Sequence, residues 1–346
     1  MKTPVMTRQG LSTARVIDVH AHIVIAETIG AAGDFGPFMG HNPDGSPFFQ
    51  VGDNYRLNGV RYVGSPFMDV DVRLRRMAER GIDFQLVSPN PLTYLHFIPA
   101  DAATRFCRVH NDAVAATVQA HPDKLAGLAA LPLQSPQAAV AELRRAVTEL
   151  GLSGAAFGTD ARLPLDDAAL DPLYAEAVRL DVPLFIHPGP AGIDGPAGDP
   201  ALKRFELDII AGFAAQETLA VATLIYGGVL DRHPGLDICL SHGGGGTALL
   251  VGRMAKGARK RPWAPANLRA DGAFEEHLKR LWFDTHVDHP LILPLLAAVV
   301  GREHLVHGTN FAGWDEPDAG KEDAHATVPP DLADNARRLL RAARQA

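Results

Sequence analysis

Two histidines lie two residues apart at the end of an apolar segment near the start of the chain. Residues 16–22 read Val-Ile-Asp-Val-His-Ala-His, so His20 and His22 close the segment. Side chains two apart on a β-strand share a face, and two converging imidazoles repel each other if both are protonated. A metal ion relieves this by binding both rings in their neutral form. The pair therefore predicts a metal site, the alternative being a chance pair on a strand.

Two further histidines follow strand-like segments later in the chain. His187 ends an apolar run and is followed by Pro188, while His242 is followed by the glycines 243–246. Glycines let the backbone approach a ligand closely. A phosphate-binding loop is the competing interpretation of that run, but it lacks the Lys-Ser/Thr of a P-loop and the spacing of a dinucleotide fingerprint. We expect His187 to reach the same ion and His242 to act as an acid or base.

Polar side chains also follow the last two strand-like segments. Asp284 and His286 come after one of them, and Asn310 and Trp314 come after the other. We expect Asp284, His286 and Trp314 to contact a substrate, the alternative being an ordinary surface loop.

Short apolar or β-branched segments alternate with amphipathic helical patterns along the chain. The eight predicted strands are 14–19, 83–88, 125–131, 154–157, 182–186, 236–241, 281–284 and 304–308. The predicted helices are 69–80, 101–120, 135–150, 166–180, 217–230, 247–259, 289–300 and 330–344. The first four helices begin at Asp or Ser, which are favoured N-caps. This alternation predicts an α/β fold, a (β/α)8 TIM barrel whose catalytic face is the carboxyl end of the strands.

The segment 23–68 is too long for a simple loop and is rich in Gly, Pro, Asn and Phe. We interpret it as a lid-like insertion after strand 1, over the mouth of a single domain that spans residues 1–346. A second Pro- and Gly-rich stretch, 188–202, is either a solvated connector or part of the pocket.

Composition limits the possible partners and compartment. The formal charge is −7, which makes nucleic acid an unlikely partner. No apolar run is long enough to cross a bilayer, and residues 1–10 lack the apolar stretch of a secretory signal. Cys107 and Cys239 are the two cysteines, and we expect both to be reduced core residues. The expected compartment is the cytoplasm.

These motifs together resemble the amidohydrolase superfamily, and within it the branch that contains aminocarboxymuconate-semialdehyde decarboxylase and the aromatic-acid decarboxylases. The resemblance covers nearly the whole chain. It rests on Asp-x-His-x-His at 18–22, Asp-Val-Asp-Val-Arg-Leu at 69–74, Phe-Ile-His-Pro at 185–188, Ser-His-Gly-Gly-Gly at 241–245 and Asn-Ala-Arg at 335–337.

The resemblance implies roles for individual positions. His20, His22 and His187 correspond to the histidine ligands of a single divalent metal ion, usually Zn²⁺ in this branch, and His242 to the catalytic histidine beside the metal-bound water. Arg61 lies near the position of an arginine that binds the substrate carboxylate; an exposed loop arginine is the alternative. A homodimer is expected from the branch and from the general frequency of dimers.

The sequence departs from the branch at the eighth strand. The family motif Gly-Thr/Ser-Asp places an aspartate on the metal, but this chain has Asn310. Asparagine is a weaker, neutral ligand and cannot take a proton from a metal-bound water, which disfavours hydrolysis relative to lyase chemistry. Asn310 could remain a ligand and catalytic residue, Asp315 or Glu316 could replace it, or the site could have lost its metal. The predicted pocket also differs from that of the semialdehyde decarboxylase. Gly189 and Ile209 occupy positions where that enzyme has tryptophans.

The sequence therefore predicts a metal-dependent carboxy-lyase acting on a small unsaturated or aromatic carboxylic acid. One alternative is a hydratase or hydrolase of a ring-cleavage product or lactone on the same barrel. A metal-free binding protein that kept the fold is the other.

Overall fold

Parallel strands followed by helices form the frame of the computed structural model, which describes residues 9–53, 55–190, 200–287, 289–316 and 328–341. The strands are β1 (Ile17–Ile23), β2 (Phe38–His41), β3 (Pro47–Val51), β4 (Tyr55–Asn58), β5 (Phe84–Pro89), β6 (Leu125–Gly127), β7 (Ala129–Ala130), β8 (Ala155–Gly158), β9 (Leu184–His187), β10 (Ile238–Leu240), β11 (Trp282–Asp284) and β12 (Leu305–Val306). The helices are α1 (Gln9–Thr13), α2 (Val70–Glu79), α3 (Ala100–Ala120), α4 (Pro136–Thr148), α5 (Asp171–Leu180), α6 (Pro200–Lys203), α7 (Leu207–Ile210), α8 (Gly212–Tyr226), α9 (Val229–Arg232), α10 (Thr247–Lys260), α11 (Ala273–Leu278), α12 (Ile292–Val300) and α13 (Pro330–Leu339).

The parallel ladders run in barrel order. One sheet has the order β1-β5-β6, and the other has the order β7-β8-β9-β10-β11-β12. Strands β6 and β7 are two parts of one barrel strand, separated only by Leu128, whose N–H donates to Val87 O (2.9 Å). At the other junction, Val19 N–H donates to His307 O (2.9 Å), which links β1 to the segment after β12. The predicted TIM barrel is confirmed.

The first strand differs from its predicted bounds. The prediction ended it at residue 19, whereas β1 continues to Ile23 and contains both His20 and His22. All of its residues are buried, and the polar Asp18, His20 and His22 alternate with apolar residues as far as Ile23, so the strand pattern continues past residue 19 through both histidines. The pairing with β5 also shifts register between Asp18 and Ala21.

Several predicted helix starts need correction. Asp69 and Ser135 do cap α2 and α4, because their side chains accept hydrogen bonds from backbone N–H groups. Asp101 does not cap α3, which begins at Ala100 after Pro99, whose fixed φ suits the residue before a helix. Asp166 does not start α5 either: a 3₁₀ turn comes first, and α5 begins at Asp171.

The later helices also shift. The segment predicted as 217–230 begins earlier, at α8, and breaks at Gly228, whose φ of +69° lies outside the helical region. The helix predicted at 289–300 begins only at Ile292, and α13 ends at Leu339 rather than 344. The last part of that prediction, 342–346, lies outside the described residues.

The insertion between β1 and α2 contains a small antiparallel sheet in the order β2-β3-β4, which the sequence did not predict. Phe49 and Val51 of this sheet share a buried hydrophobic cluster with Leu95, which follows β5, and Phe106 of α3. The insertion therefore packs on the carboxyl-end loops of the barrel. Of the Pro- and Gly-rich stretch 188–202, residues 191–199 lie outside the described residues.

The barrel core is apolar on both sides of its strands. Inner side chains from six strand positions form one buried cluster that includes Val19, Leu86, Leu128, Ala156, Phe185 and Cys239. The helices bury leucine- and alanine-rich faces against the outside, as α4 does with Ala139, Leu143 and Ala146. Cys107 and Cys239 are both free and buried, as predicted.

Within the described ranges, no single helix combines the length and apolarity that a membrane span requires. One bent pair, Pro200–Ile210 with Gly212–Tyr226 at 77°, meets the criterion by length and composition only.

Candidate metal and catalytic centre

His20 lies on β1 with one ring nitrogen fixed and the other free. Its Nδ1 donates to Asp284 Oδ2 at the end of β11 (2.7 Å), and both side chains are buried. The other oxygen of Asp284 accepts from the backbone N–H groups of Gly243 (3.2 Å) and His286 (3.0 Å). His20 Nε2 is buried and has no hydrogen-bond partner among the described residues. A buried nitrogen held in this way offers its lone pair to an ion.

His22 and His187 are anchored in the same manner. His22 Nδ1 lies 3.2 Å from Pro89 O and 3.0 Å from Ser88 Oγ, and His187 Nδ1 lies 2.7 Å from Pro188 O. A carbonyl oxygen only accepts, so Nδ1 of each ring carries the proton and Nε2 carries a lone pair. The two Nε2 atoms are nevertheless 3.3 Å apart. Two lone pairs at this distance repel each other unless a cation lies beside them.

The charge state of these rings fits a metal site. Burial lowers the pKa of His22 and of His187 well below the usual value. The charge of His20 lowers the pKa of His22 further, and the charge of His22 does the same for His187. Burial also lowers the pKa of His20, although Asp284 opposes the shift. Neutral imidazole is the form that binds a metal ion. The residues present therefore suit a divalent cation.

A buried polar network holds the backbone of β1. Arg73 of α2 donates to His22 O (2.5 Å) and to Gln85 Oε1 (2.5 Å), and Gln85 Nε2 donates to Asp18 Oδ2 (2.9 Å). Asp18 Oδ1 accepts from the N–H of His20 (3.0 Å). Burial lowers the pKa of Arg73 to about 10. This network ties the helix after the insertion to the strand that carries the histidine pair.

His242 faces the other histidines and is oriented by an acid. Its Nδ1 donates to Glu217 Oε1 of α8 (2.9 Å), and Ser241 Oγ donates to the same oxygen. This leaves Nε2 of His242 for chemistry. His20, His187 and His242 each offer a ligand atom, and these atoms lie within 4.8 Å of one another. His242 is thus placed both to border an ion and to exchange a proton.

The Glu217 carboxylate controls the protonation of His242. Burial acts to lower the pKa of His242, but the charge and hydrogen bond of Glu217 outweigh it and raise the pKa to about 9. Burial raises the pKa of Glu217 itself, and His242 opposes this. The arrangement favours an imidazolium that can donate a proton.

Asn310 and Asp315 form a hydrogen-bonded pair, and Asp315 lies close to His242. Asn310 Nδ2 donates to Asp315 Oδ1 (2.5 Å), and His286 Nε2 lies 3.1 Å from Asp315 Oδ2. Burial acts to raise the pKa of Asp315, but His286 and Asn310 bring it down to about 2, so the side chain is a carboxylate. His242, His286 and Asp315 form a second group whose ligand atoms lie within 4.8 Å. A carboxylate thus lies directly beside the asparagine.

Glu316 is turned away from this group. It forms ion pairs with Arg76 and with Arg80 (3.6 Å for the latter), and it accepts from the N–H of Ala312 (3.2 Å). Of the two acids that the sequence offered as replacements for the family aspartate, only Asp315 lies among the histidines.

The glycines after His242 serve close packing. Gly245 has φ of +62°, and a Cβ there would lie 2.1 Å from Ala214 O. Gly243 has φ of +59°, and a Cβ would lie 2.9 Å from side chains of Leu296 and Val287. His242 itself has a left-handed φ of +44°. Non-glycine residues are strained there, which is a frequent property of functional positions.

The remaining predicted residues lie further out or have other contacts. Arg61 is exposed after β4, and within the described ranges no contact joins it to the histidines. Trp314 is 70% exposed. Both oxygens of Asp284 are engaged by His20, Gly243 and His286, which makes it a positioning residue.

Sequence reasoning missed Glu217 as a site residue. It is the only acid in α8, whose sequence GFAAQETLAVATLIY has no basic residue and is mostly apolar, and it is fully buried. An ionisable side chain alone in such a helix is a signal that could have found it, because acids are rarely buried without a partner.

The family comparison agrees with this geometry. The family model described as amidohydrolase matches residues 17–342. The chain belongs to the amidohydrolase family. Residues from β1 to the last helix therefore lie within the family match, including every histidine discussed above.

Three known proteins illustrate the breadth of this family. The chain is 30% identical over 252 residues to 2-amino-3-carboxymuconate-6-semialdehyde decarboxylase of Dictyostelium discoideum, covering 72% of this chain and 68% of that one. It is 30% identical over 254 residues to 2-keto-4-carboxy-3-hexenedioate hydratase of Sphingobium sp., covering 70% and 69%. Its fold is similar, with a TM-score of 0.68 at 22% identity, to dihydroxybenzoic acid decarboxylase of Polaromonas sp. JS666, solved with manganese and 2-nitroresorcinol, covering 95% and 98%.

Proposed function

We propose that this amidohydrolase-family chain is a metal-dependent carboxy-lyase that removes CO2 from a small unsaturated or aromatic carboxylic acid. The observation that carries the proposal is the buried group of neutral histidines beside the His242–Glu217 pair. The asparagine at position 310 supports it as well. That residue cannot accept the proton that hydrolases of the superfamily transfer from a metal-bound water.

One divalent cation is the proposed cofactor, and Zn²⁺ is the first candidate because imidazole nitrogens suit it. Mn²⁺ is the second, since a fold relative contains it. His20, His22 and His187 would hold the ion. We propose that Asp315 supplies the carboxylate, with Asn310 fixing its orientation through the 2.5 Å hydrogen bond. The bound cation would act as a Lewis acid on an oxygen of the substrate.

His242 is the proposed donor of the proton that replaces CO2 on the substrate carbon. Loss of CO2 breaks the bond between the carboxylate carbon and its neighbour, and the electron pair that stays on the neighbouring carbon takes up a proton. His242 Nε2 supplies that proton, because Nδ1 is occupied by Glu217. His286 lies beside His242, with ring centroids 5.5 Å apart, and is placed to contact the substrate. We also propose that Arg61 and Trp314, which are both exposed, contact the substrate at the entrance of the pocket.

The test is direct. The protein is loaded with Zn²⁺ or Mn²⁺ and incubated with hydroxybenzoic acids and carboxymuconate-type acids, and CO2 is measured together with the organic product. We expect CO2 release that is lost in His242→Ala. Hydrated or hydrolysed products without CO2 would contradict the proposal.

A hydratase is the second candidate function, because a relative with the same 30% identity is a hydratase. Its signature would be loss of the substrate double-bond absorbance with no CO2. A metal-free binding protein is a third possibility. One tightly bound metal equivalent that disappears in His20→Ala would exclude it.

We also propose a cytoplasmic homodimer. Exposed apolar side chains on three neighbouring helices, α8, α10 and α12, support the dimer. They are Leu219, Leu249, Leu250, Leu291, Ile292 and Leu295, of which Leu291 immediately precedes α12. Light scattering of the purified chain should give twice its 37.0 kDa mass. A monomer at micromolar concentration would contradict this.

A further inference from the structure

The proposed metal ligand His187 is oriented by one peptide group, the one that joins Pro188 to Gly189. His187 Nδ1 donates to the carbonyl of this peptide, Pro188 O (2.7 Å). The N–H of the same peptide, on Gly189, donates to Gln216 Oε1 of α8 (3.1 Å). A trans peptide is planar, and its C=O and N–H point in opposite directions. His187 and Gln216 therefore contact the two ends of a single rigid plane.

Gln216 has two further contacts with the backbone and side chains around this peptide. Its Nε2 donates to Gly189 O (2.9 Å), so the side-chain amide pairs with both backbone polar groups of that glycine. Thr159, which follows β8, donates through Oγ1 to Gln216 Oε1 (2.6 Å) and through its N–H to His187 O (3.1 Å). Gln216 thus joins the ends of β8 and β9 to α8.

The local sequence does not hold this peptide in one orientation by itself. The ring of Pro188 fixes φ but leaves ψ free, and Gly189 can adopt either sign of φ, so the backbone offers little resistance to rotation of the plane. A larger residue cannot replace the glycine, because its Cβ would lie 2.9 Å from the Asp160 carboxylate. A contact from outside the segment must therefore select the orientation, and Gln216 supplies that contact.

A reversed peptide would change the tautomer of His187. It would turn the Gly189 N–H toward Nδ1, which would then have to accept, and the ring proton would lie on Nε2. Nε2 is the atom that lies 3.3 Å from His22 Nε2 in the candidate metal centre. A ring nitrogen that carries a proton has no lone pair for a metal ion. The orientation of this one peptide consequently decides whether His187 can be a ligand.

We infer that Gln216 is a positioning residue of the metal centre, which holds the peptide after Pro188 in the orientation that makes His187 Nε2 a ligand. The inference rests on the proposed function only for the presence of the ion. Gln216 immediately precedes the acid that orients His242. Two consecutive residues of α8 therefore position the histidines that follow two neighbouring strands.

Metal binding, rather than turnover, provides the test. Dissociation constants for Zn²⁺ and Co²⁺ are measured on the full-length protein by competition with a chelator, and the visible spectrum of bound Co²⁺ reports the arrangement of its ligands. Gln216→Met keeps the length of the side chain and removes its amide. We expect binding about 10- to 100-fold weaker and an altered Co²⁺ spectrum, because contacts that orient a ligand have effects of this size. Gln216→Leu is a second variant with the same expected result, should the first not fold.

Two other variants separate positioning from stability. Gln216→Glu keeps an oxygen that accepts from the Gly189 N–H, so its Co²⁺ spectrum should match that of the wild type. Gln134→Leu is the matched control, because Gln134 Nε2 also donates to loop carbonyls, those of Leu95 (2.6 Å) and Ile98 (3.2 Å). It should lower the free energy of unfolding in urea and leave the metal affinity and the Co²⁺ spectrum unchanged.

Failure of the inference and failure of the proposed function look different. Metal binding that depends on Gln216, without CO2 release from any acid, supports the inference and contradicts the decarboxylase. CO2 release by a protein whose metal affinity and Co²⁺ spectrum are unchanged in Gln216→Met overturns the inference alone. Equal weakening of metal binding in Gln216→Met and Gln134→Leu also overturns it, since the effect would then be one of stability. A wild-type protein that binds neither metal overturns both.

Discussion

At the scale of single residues, the contact between Glu217 and His242 has the largest consequence for chemistry. It places a buried carboxylate 2.9 Å from Nδ1 and so determines both the tautomer and the charge of the ring. A proton donor oriented in this way contributes about 10²–10⁴-fold to a rate. Glu217 accepts hydrogen bonds from Ser241 and His242 and reaches the reacting groups only through His242, so its effect on the reaction is indirect.

Replacing this acid should slow the reaction without removing the metal. In Glu217→Gln the amide keeps a hydrogen bond to His242 but cannot stabilise the imidazolium, so we expect the rate of CO2 release to fall roughly 10- to 100-fold. Metal content, measured by mass spectrometry, should not change. Glu149→Gln, at an exposed position, is the control. An unchanged rate in Glu217→Gln would show that His242 does not depend on this acid.

Asp315 and Glu316 are adjacent in the chain but should behave differently. Asp315 lies with His242 and His286, whereas Glu316 pairs with Arg76 and Arg80. We expect Asp315→Asn to weaken metal binding at least tenfold, since a ligand carboxylate becomes a neutral amide. Glu316→Gln should keep the metal and lower only the stability. Equal metal loss in both variants, by competition with a chelator, would contradict the assignment.

At the scale of elements, the turn between β10 and α10 shows how backbone shape positions a catalytic side chain. Left-handed glycines follow His242 and let the turn lie against α8 and α12. A side chain at Gly245 would displace either the turn or α8, which carries Glu217, and a side chain at Gly243 would collide with Leu296 of α12. The glycine run is therefore a packing requirement rather than an anion-binding loop.

Two glycine substitutions separate this requirement from ordinary helix propensity. In Gly245→Ala the new Cβ would lie 2.1 Å from Ala214 O, on a backbone with φ of +62°. We therefore expect the free energy of unfolding to fall by about 2 kcal/mol or more. Gly252→Ala, within α10 and facing open space, should raise it by about 0.5–1 kcal/mol. Urea denaturation of both variants provides the measurement. A neutral effect of Gly245→Ala would mean that the turn can move freely.

At the scale of the whole molecule, the barrel gathers side chains from distant parts of the chain. His20 and Asp284, which are 264 residues apart, form a hydrogen bond because β1 and β11 both end at the catalytic face. The insertion and the loops after β5 pack together over the same face. The site consequently depends on closure of the barrel, and an ion bound there should stabilise the whole fold.

Removing the metal should lower the melting temperature. An ion that binds only the folded state adds about 2.7 kcal/mol at a concentration 100 times its Kd. Treatment with a chelator should lower the Tm of the wild-type protein, and added Zn²⁺ should restore it. His20→Ala should lack this response, while His41→Ala, at an exposed residue, should retain it. A wild-type Tm that does not respond to chelator or Zn²⁺ would exclude a tightly bound ion.

The sequence by itself determined the barrel and the composition of the site. Strand and helix periodicities are local properties, so all eight strand positions could be found, although the end of β1 was placed at residue 19 rather than at Ile23. The spacing of His20 and His22 and the replacement of aspartate by Asn310 are likewise visible in the chain. The role of Arg61 stays a prediction.

Only the tertiary structure decided which groups touch. It showed that Nε2 of His20 is free, that Glu217 orients His242, and that Asp315 rather than Glu316 lies among the histidines. The physical reason is that these contacts join the ends of different strands, and their geometry depends on how the barrel closes rather than on spacing along the chain.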